Sequence, residues 1–155
     1  MRRPPTTTFG LSLAKPPRRI SWARWARVLW ASPNSLVGLF LALGFMLAGA
    51  RLRRVDGVLE VALNQHPPAG GKTRPASRWR LPFTAITFGH VVLGVSPQDL
   101  ERLRAHEHTH VRQCERWGPL FLPAYLLAGA WQWARGRHAY RDNPFEVEAR
   151  RIGGG

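Results

Sequence analysis

From Val28 to Ala50 the chain carries no charged side chain, and its centre, Leu36–Leu47 (LVGLFLALGFML), is continuous in apolar residues and Gly. As a helix that stretch would reach roughly 35 Å, enough to cross a hydrocarbon core of about 30 Å. Trp22, Trp25 and Trp30 stand on one side of it and Arg51, Arg53 and Arg54 close the other, as interface anchors do. The pattern predicts a membrane anchor helix within residues 22–50. Ser32-Pro33-Asn34 constrains it, because Pro suits the first turn of a helix. Counted from Pro33, the helix would reach only about 27 Å, a thin span. A cleaved signal peptide ending at Ala48-Gly49-Ala50 is a competing reading, although the stretch before the apolar run is long for an n-region. A transit peptide would be amphipathic rather than uniformly apolar.

Beyond the anchor the pattern shortens and alternates. Residues 54–63 (RVDGVLEVAL) predict a strand pair, or a strand entered through a turn at Asp56-Gly57. Residues 64–80 are crowded with Pro, Gly and basic residues and predict a loop. Residues 83–95 (FTAITFGHVVLGV) are rich in β-branched and aromatic residues and predict one or two strands, bent at Gly89 or Gly94. Ser96-Pro97-Gln98-Asp99 then marks a helix start, with a Ser cap and Pro in the first position. This helix should run to about Trp117, where Gly118-Pro119 stops it. Residues 120–134 read as an apolar helix, and a last helix should occupy about Pro144 to Ile152. The order, membrane helix, small sheet, then helices, is that of an α+β protein.

Charge refines this picture. The 155 residues include 23 Lys+Arg against 9 Asp+Glu, a formal net charge of +14. No acidic residue precedes Asp56, so the excess belongs mostly to the N-terminal part, and residues 1–21 read as a disordered basic tail. Such charge would also suit a nucleic-acid or membrane-surface binder, but no groove-reading motif accompanies it, and no specific nucleic-acid partner is expected. The lipid bilayer is the expected partner. Basic residues are more numerous in 8–27 than in 51–70, which leans towards the main domain on the extracytoplasmic side. Cys114 is the sole cysteine, so a disulfide scaffold is excluded.

The helix from Pro97 carries the strongest chemical signal, His106-Glu107-His108-Thr109-His110. His106 and His110 are one turn apart on one helical face, the separation at which two imidazoles share a Zn²⁺ ion. In this H-E-x-x-H pattern Glu107 serves as the base that takes a proton from water activated by the metal. His108 points away from the pair and reads as solvent-facing or supporting. Catalytic zinc needs a third protein ligand, for which Asp142, Glu146 and Glu148 are the candidates.

With these motifs the sequence resembles the gluzincin class of zinc metallopeptidases, in which a Glu on a later helix completes the metal site. Small members of that class carry E-x-x-A-D there. Glu146-Val147-Glu148-Ala149 matches the first four positions, and Arg150 stands in place of the Asp. The resemblance implies Glu146 as the ligand and a small minigluzincin-like zinc-metallopeptidase domain over 51–152, composed of a short sheet, the H-E-x-x-H helix and the Glu-bearing helix. Over most of its length the chain also resembles an uncharacterised family of small bacterial membrane proteins. The shared features are R-V-D-G-x-L-E-V at Arg54–Val61, G-H-V-V-L-G at Gly89–Gly94, H-E-x-x-H-V-R-Q at His106–Gln113 and N-x-F-E-x-E-A-R at Asn143–Arg150. That likeness implies a bacterial inner-membrane protein and names no substrate.

The apolar segment 118–134 is nearly long enough to span, yet a full crossing would separate Glu146 from His106 and His110. Pro119 and Pro123 at its start and Trp131 and Trp133 near its end suit an interfacial helix instead. The resulting expectation is a membrane-anchored, zinc-dependent hydrolase of a peptide or protein substrate. The strand around Thr87–Val92 would pair with extended substrate backbone, and His90 on it would steady the oxyanion. The alternative is a non-catalytic metal-binding or structural membrane-associated binding module, which would have no need of Glu107. Cys114 reads as a packed helix residue.

Overall fold

The computed structural model describes residues 22–63 and 83–154. The predicted tail over 1–21 and the loop over 64–80 lie outside the described residues. The element order is α1 (Trp22–Trp30), α2 (Ser32–Leu47), β1 (Arg51–Val55), β2 (Val58–Ala62), β3 (Ala85–Phe88), β4 (Val91–Gly94), α3 (Pro97–Trp117), α4 (Phe121–Ala134) and α5 (Pro144–Gly153). A single 3-10 turn at Gly118–Leu120 joins α3 to α4. The architecture is α+β, with a small mixed sheet in the order β1-β2-β4-β3.

Asp56 and Gly57 both adopt positive φ, 51° and 89°, as a two-residue hairpin turn of the primed type requires. They fold β1 back on β2 with Val55 opposite Val58. The β2–β4 pairing is parallel, and β3 pairs antiparallel with β4 at the edge of the sheet. The alternation of side chains sorts the core into two layers. Val58 and Ala62 of β2 and Val92 of β4 pack with Leu100 and Val111 of α3. Val61, Val91 and Leu93 face the other way and pack with Ala42 and Phe45 of α2. Central β4 is covered on both faces, which explains its unbroken apolar sequence.

The expected single anchor helix over 22–50 is not what forms. Two helices, α1 and α2, meet at Ala31 with a bend of 62°, and among the described residues no single helix is long and apolar enough to cross a membrane. Pro33 in the first turn of α2 favours a new helix start there rather than continuation of α1. Burial fixes the corner: Ala31 is fully enclosed against Cys114 and Phe121. Asn34 donates from Nδ2 to the Gly118 carbonyl at 2.7 Å, tying the start of α2 to the end of α3.

One narrow stripe of α2 packs on the sheet. Asn34, Gly38 and Ala42, spaced by one helical turn, are its buried residues. Gly38 permits the approach, since a Cβ there would stand 2.7 Å from the Cβ of Val91. Leu36, Phe40, Leu43 and Leu47 remain exposed on the rest of the helix. Leu126, Leu127, Trp131 and Trp133 are exposed along α4 in the same way.

Candidate metal centre

Ser96 starts α3 as expected, accepting a hydrogen bond from the Asp99 amide at 3.1 Å, with Pro97 in the first turn. From there the helical repeat stacks His106 and His110, whose Nε2 atoms are 3.2 Å apart. Helix α5 begins at Asn143, which caps the Phe145 amide at 3.1 Å and also donates from Nδ2 to the Tyr125 carbonyl at 3.0 Å. This anchored cap places Glu146 in the first turn of α5, against the two imidazoles. Glu146 Oε2 stands 3.4 Å from His106 Nε2, and Oε1 stands 3.3 Å from His110 Nε2. All three residues are buried, and one ligand atom from each falls within 4.8 Å of the others.

Supporting side chains orient these three. His110 Nδ1 is 2.8 Å from the side-chain oxygen of Gln113, whose amide nitrogen donates to the Phe145 carbonyl at 3.0 Å and to Glu148 at 2.9 Å. With its nitrogen so engaged, Gln113 presents an acceptor to His110, so Nδ1 carries a proton and Nε2 is the ring nitrogen turned to Glu146. Tyr125 of α4 donates its hydroxyl to Glu146 Oε1 at 2.7 Å. Glu146 Oε2 and His106 Nδ1 are buried without a hydrogen-bond partner. Burial alone would raise the Glu146 pKa, but His106, His110 and Tyr125 outweigh it and hold the carboxyl far below its usual range. Burial opposes charge on His110 as well, yet the bond and charge of Glu146 leave its pKa above the ordinary value.

Two imidazoles and an ionised carboxylate, one oxygen of which makes no hydrogen bond, fit a divalent ion of the zinc type. The arrangement could hold a metal without fixing which one. Glu107, next to His106, is buried, and its Oε2 accepts from the Thr87 hydroxyl of β3 at 2.6 Å. Its burial is the largest influence on its pKa and pushes it upward.

A cavity of about 1070 Å³ opens over these groups, between β3, α3, α4 and α5. Thr87, Glu107, Tyr125 and Tyr140 line it with the three candidate ligands, and Phe83, Ile86, Phe121 and Leu126 give it apolar walls. Arg150, in the position where the sequence departs from E-x-x-A-D, reaches within 3.7 Å of Glu146 Oε2 and also donates to the Arg141 carbonyl.

The cavity therefore brings together His106, His110, Glu146 and Glu107 but not His90. His90 sits in the turn between β3 and β4, with Nε2 3.1 Å from Glu115, and lines a different cavity. The oxyanion role expected of it has no geometric basis. His108 points away from the pair, as expected, and lies 3.8 Å from buried Glu60, itself clamped by Arg104 at 2.8 Å. Glu148, also a candidate third ligand, instead accepts from Gln113 at 2.9 Å. Thr87, Gln113 and Tyr125 escaped the sequence reading. Only Gln113 left a signal there, three residues beyond His110 and so on its helical face. Comparisons of the chain with family models, with curated proteins and with solved structures return no match.

Proposed function

We propose that the chain is a membrane-anchored, zinc-dependent peptidase of gluzincin-like build. The observation that carries this reading is the meeting of His106, His110 and Glu146 under one cavity with Glu107 beside them. His106, His110 and Glu146 would hold the ion. Bound zinc would polarise a peptide carbonyl and acidify a water molecule. Glu107 accepts the proton of the attacking water on its carboxylate and passes it to the leaving amine. Thr87 holds one oxygen of that carboxylate at 2.6 Å and so fixes its direction. The outer edge of β3, which borders the cavity, offers backbone groups to an extended peptide.

Membrane anchoring is supported by the apolar surface left uncovered on α2 and α4, where Phe40 is 77% and Leu47 84% exposed. In this arrangement α1 and α4 lie along the interface, and α2, seated on the sheet by one stripe, turns its exposed apolar face to the bilayer.

The test begins with metal content, measured by mass spectrometry on detergent-purified protein, wild type beside Glu146→Ala. The expected result is one zinc per chain, lost or sharply weakened in the variant. Protein that takes up no metal after zinc addition would overturn the proposal. Cleavage of a quenched-fluorescent peptide library should then require Glu107, with Glu107→Gln metal-loaded but inactive. Equal peptide turnover in both proteins would remove Glu107 from the mechanism. Metal uptake without any cleavage would instead favour a non-catalytic metal module.

A further inference from the structure

We propose that the second cavity, bounded by α1, the β1–β2 turn and α3, is a binding site for a phosphate group borne by the headgroup of an anionic lipid. Its volume is about 560 Å³. Three guanidinium groups from three separate elements line it: Arg24 of α1, Arg54 of β1 and Arg112 of α3. Arg24 reaches across to the hairpin, where a Cβ on Gly57 would stand 2.7 Å from its Nη2. Guanidinium forks match the oxygens of phosphate and bind it through charge-assisted hydrogen bonds.

The chain itself neutralises these arginines only in part, since two carboxylates, Asp56 and Glu115, face three guanidinium groups in the cavity. Its 9 carboxylate side chains all lie between Asp56 and Glu148, and none is in the segments outside the described residues. Four are paired with other arginines: Glu60 with Arg104, Asp99 with Arg102, Glu146 with Arg150 and Glu148 with Arg116. Glu115 lines the cavity, 3.1 Å from His90 and 4.0 Å from Arg27. Asp56 also lines it, against three arginines. Arg112 donates to the Thr109 hydroxyl at 2.7 Å, a neutral acceptor that leaves its charge uncompensated. Three guanidinium groups against two carboxylates leave a positive excess that an anion from outside the chain would balance.

The position of the cavity assigns the source of that anion. Trp25 and Val28 of α1 form part of its wall. Trp25 is 58% exposed and Trp22 90% exposed on the same helix, which bends by 62° into the apolar α2. Aromatic and basic residues flanking an apolar helix stand at headgroup depth, where anionic lipids are concentrated. The choice of lipid rests on the membrane reading above. The choice of phosphate rests on the arginines alone.

The test is native mass spectrometry of the full chain in detergent, with phosphatidylglycerol, with phosphatidylcholine and, in a separate arm, with glycerol 3-phosphate. Arg54→Gln/Arg112→Gln is compared with Arg51→Gln/Arg53→Gln, which removes the same charge from β1 residues that do not line the cavity. The wild type and the β1 variant should retain phosphatidylglycerol over phosphatidylcholine, and the cavity variant should bind it about tenfold or more weakly. Equal weakening in both variants would overturn the proposal in favour of plain surface charge. Retention of glycerol 3-phosphate without the lipid would keep the phosphate site and overturn its lipid source. Zinc content and the circular dichroism spectrum of each variant, which should equal those of wild type, separate this result from failure of the metal site or of folding.

Discussion

Gln113 Oε1 lies 2.8 Å from His110 Nδ1, and the same side chain bonds the backbone of α5 at Phe145. One amide therefore sets the tautomer of one candidate ligand and the position of the helix that supplies another. Replacing Gln113 by Leu should weaken zinc affinity by about 10- to 100-fold, the usual cost of losing a ligand's outer partner. Competition against a chelator of known affinity measures this. Unchanged affinity in a folded variant would mean that the tautomer is held by something else.

The pH dependence of stability should differ in sign between the metal-free and metal-loaded protein. Without metal, His110 has a raised pKa, chiefly through Glu146 acting against burial. A raised pKa contributes stability that is complete below the ordinary histidine value and is lost as pH rises through the folded value. Glu146, depressed by its histidine and Tyr125 partners, contributes in the opposite sense and only at much lower pH. Thermal unfolding in excess chelator should therefore show stability falling as pH rises above the ordinary histidine value of about 6.5. With zinc bound the trend should reverse, because both imidazoles must be deprotonated to ligate. Parallel curves with and without zinc would contradict the assigned ligands.

Gly38 and Gly44 lie on the same helix but in different surroundings. A Cβ on Gly38 meets Val91 at 2.7 Å and Phe88 at 2.9 Å, whereas one on Gly44 meets nothing within 4 Å. Gly38→Leu should destabilise the protein by about 1–3 kcal/mol through overpacking against the sheet. Gly44→Leu should stay within about 0.5 kcal/mol of wild type. Denaturant titration in detergent distinguishes them. Similar losses at both positions would mean that α2 does not rest on the sheet through Gly38.

Cys114 should be inert in the native state. Burial pushes its thiol up to about 12, and its side chain is enclosed with Ala31 and Phe121. Iodoacetamide at pH 8 should leave it unmodified until denaturant is added, since the thiolate is the reacting form. Rapid labelling of the folded protein would show that the α1–α2 corner opens readily.

The elements after residue 54 were legible because local rules agreed with tertiary need. Asp56-Gly57, Ser96-Pro97 and Asn143-Pro144 each mark a turn or helix start where one forms. The histidine pair follows from helical spacing, and Glu146 is brought to it by packing of α5 on α3. The corner at Ala31 was hidden because uniform apolarity carries no sign of direction, and only Pro33 hinted at it. The position of His90 is hidden for a different reason. Thr87 meets Glu107, whereas His90, beyond the end of β3, meets Glu115. Those two glutamates are separated by eight residues, roughly 12 Å along α3, so a short step along the strand passes from one cavity to the other.

The placement of Glu146 on the final helix has a consequence for biosynthesis. A ribosome releases α2 first and the two histidines of α3 later, but the buried carboxylate only after 145 other residues. If Glu146 completes the centre, a nascent chain that already shows both histidines still lacks the carboxylate and cannot hold a metal ion firmly. Any chemistry that needs the complete trio would then be available only after α5 has been made and folded onto α3.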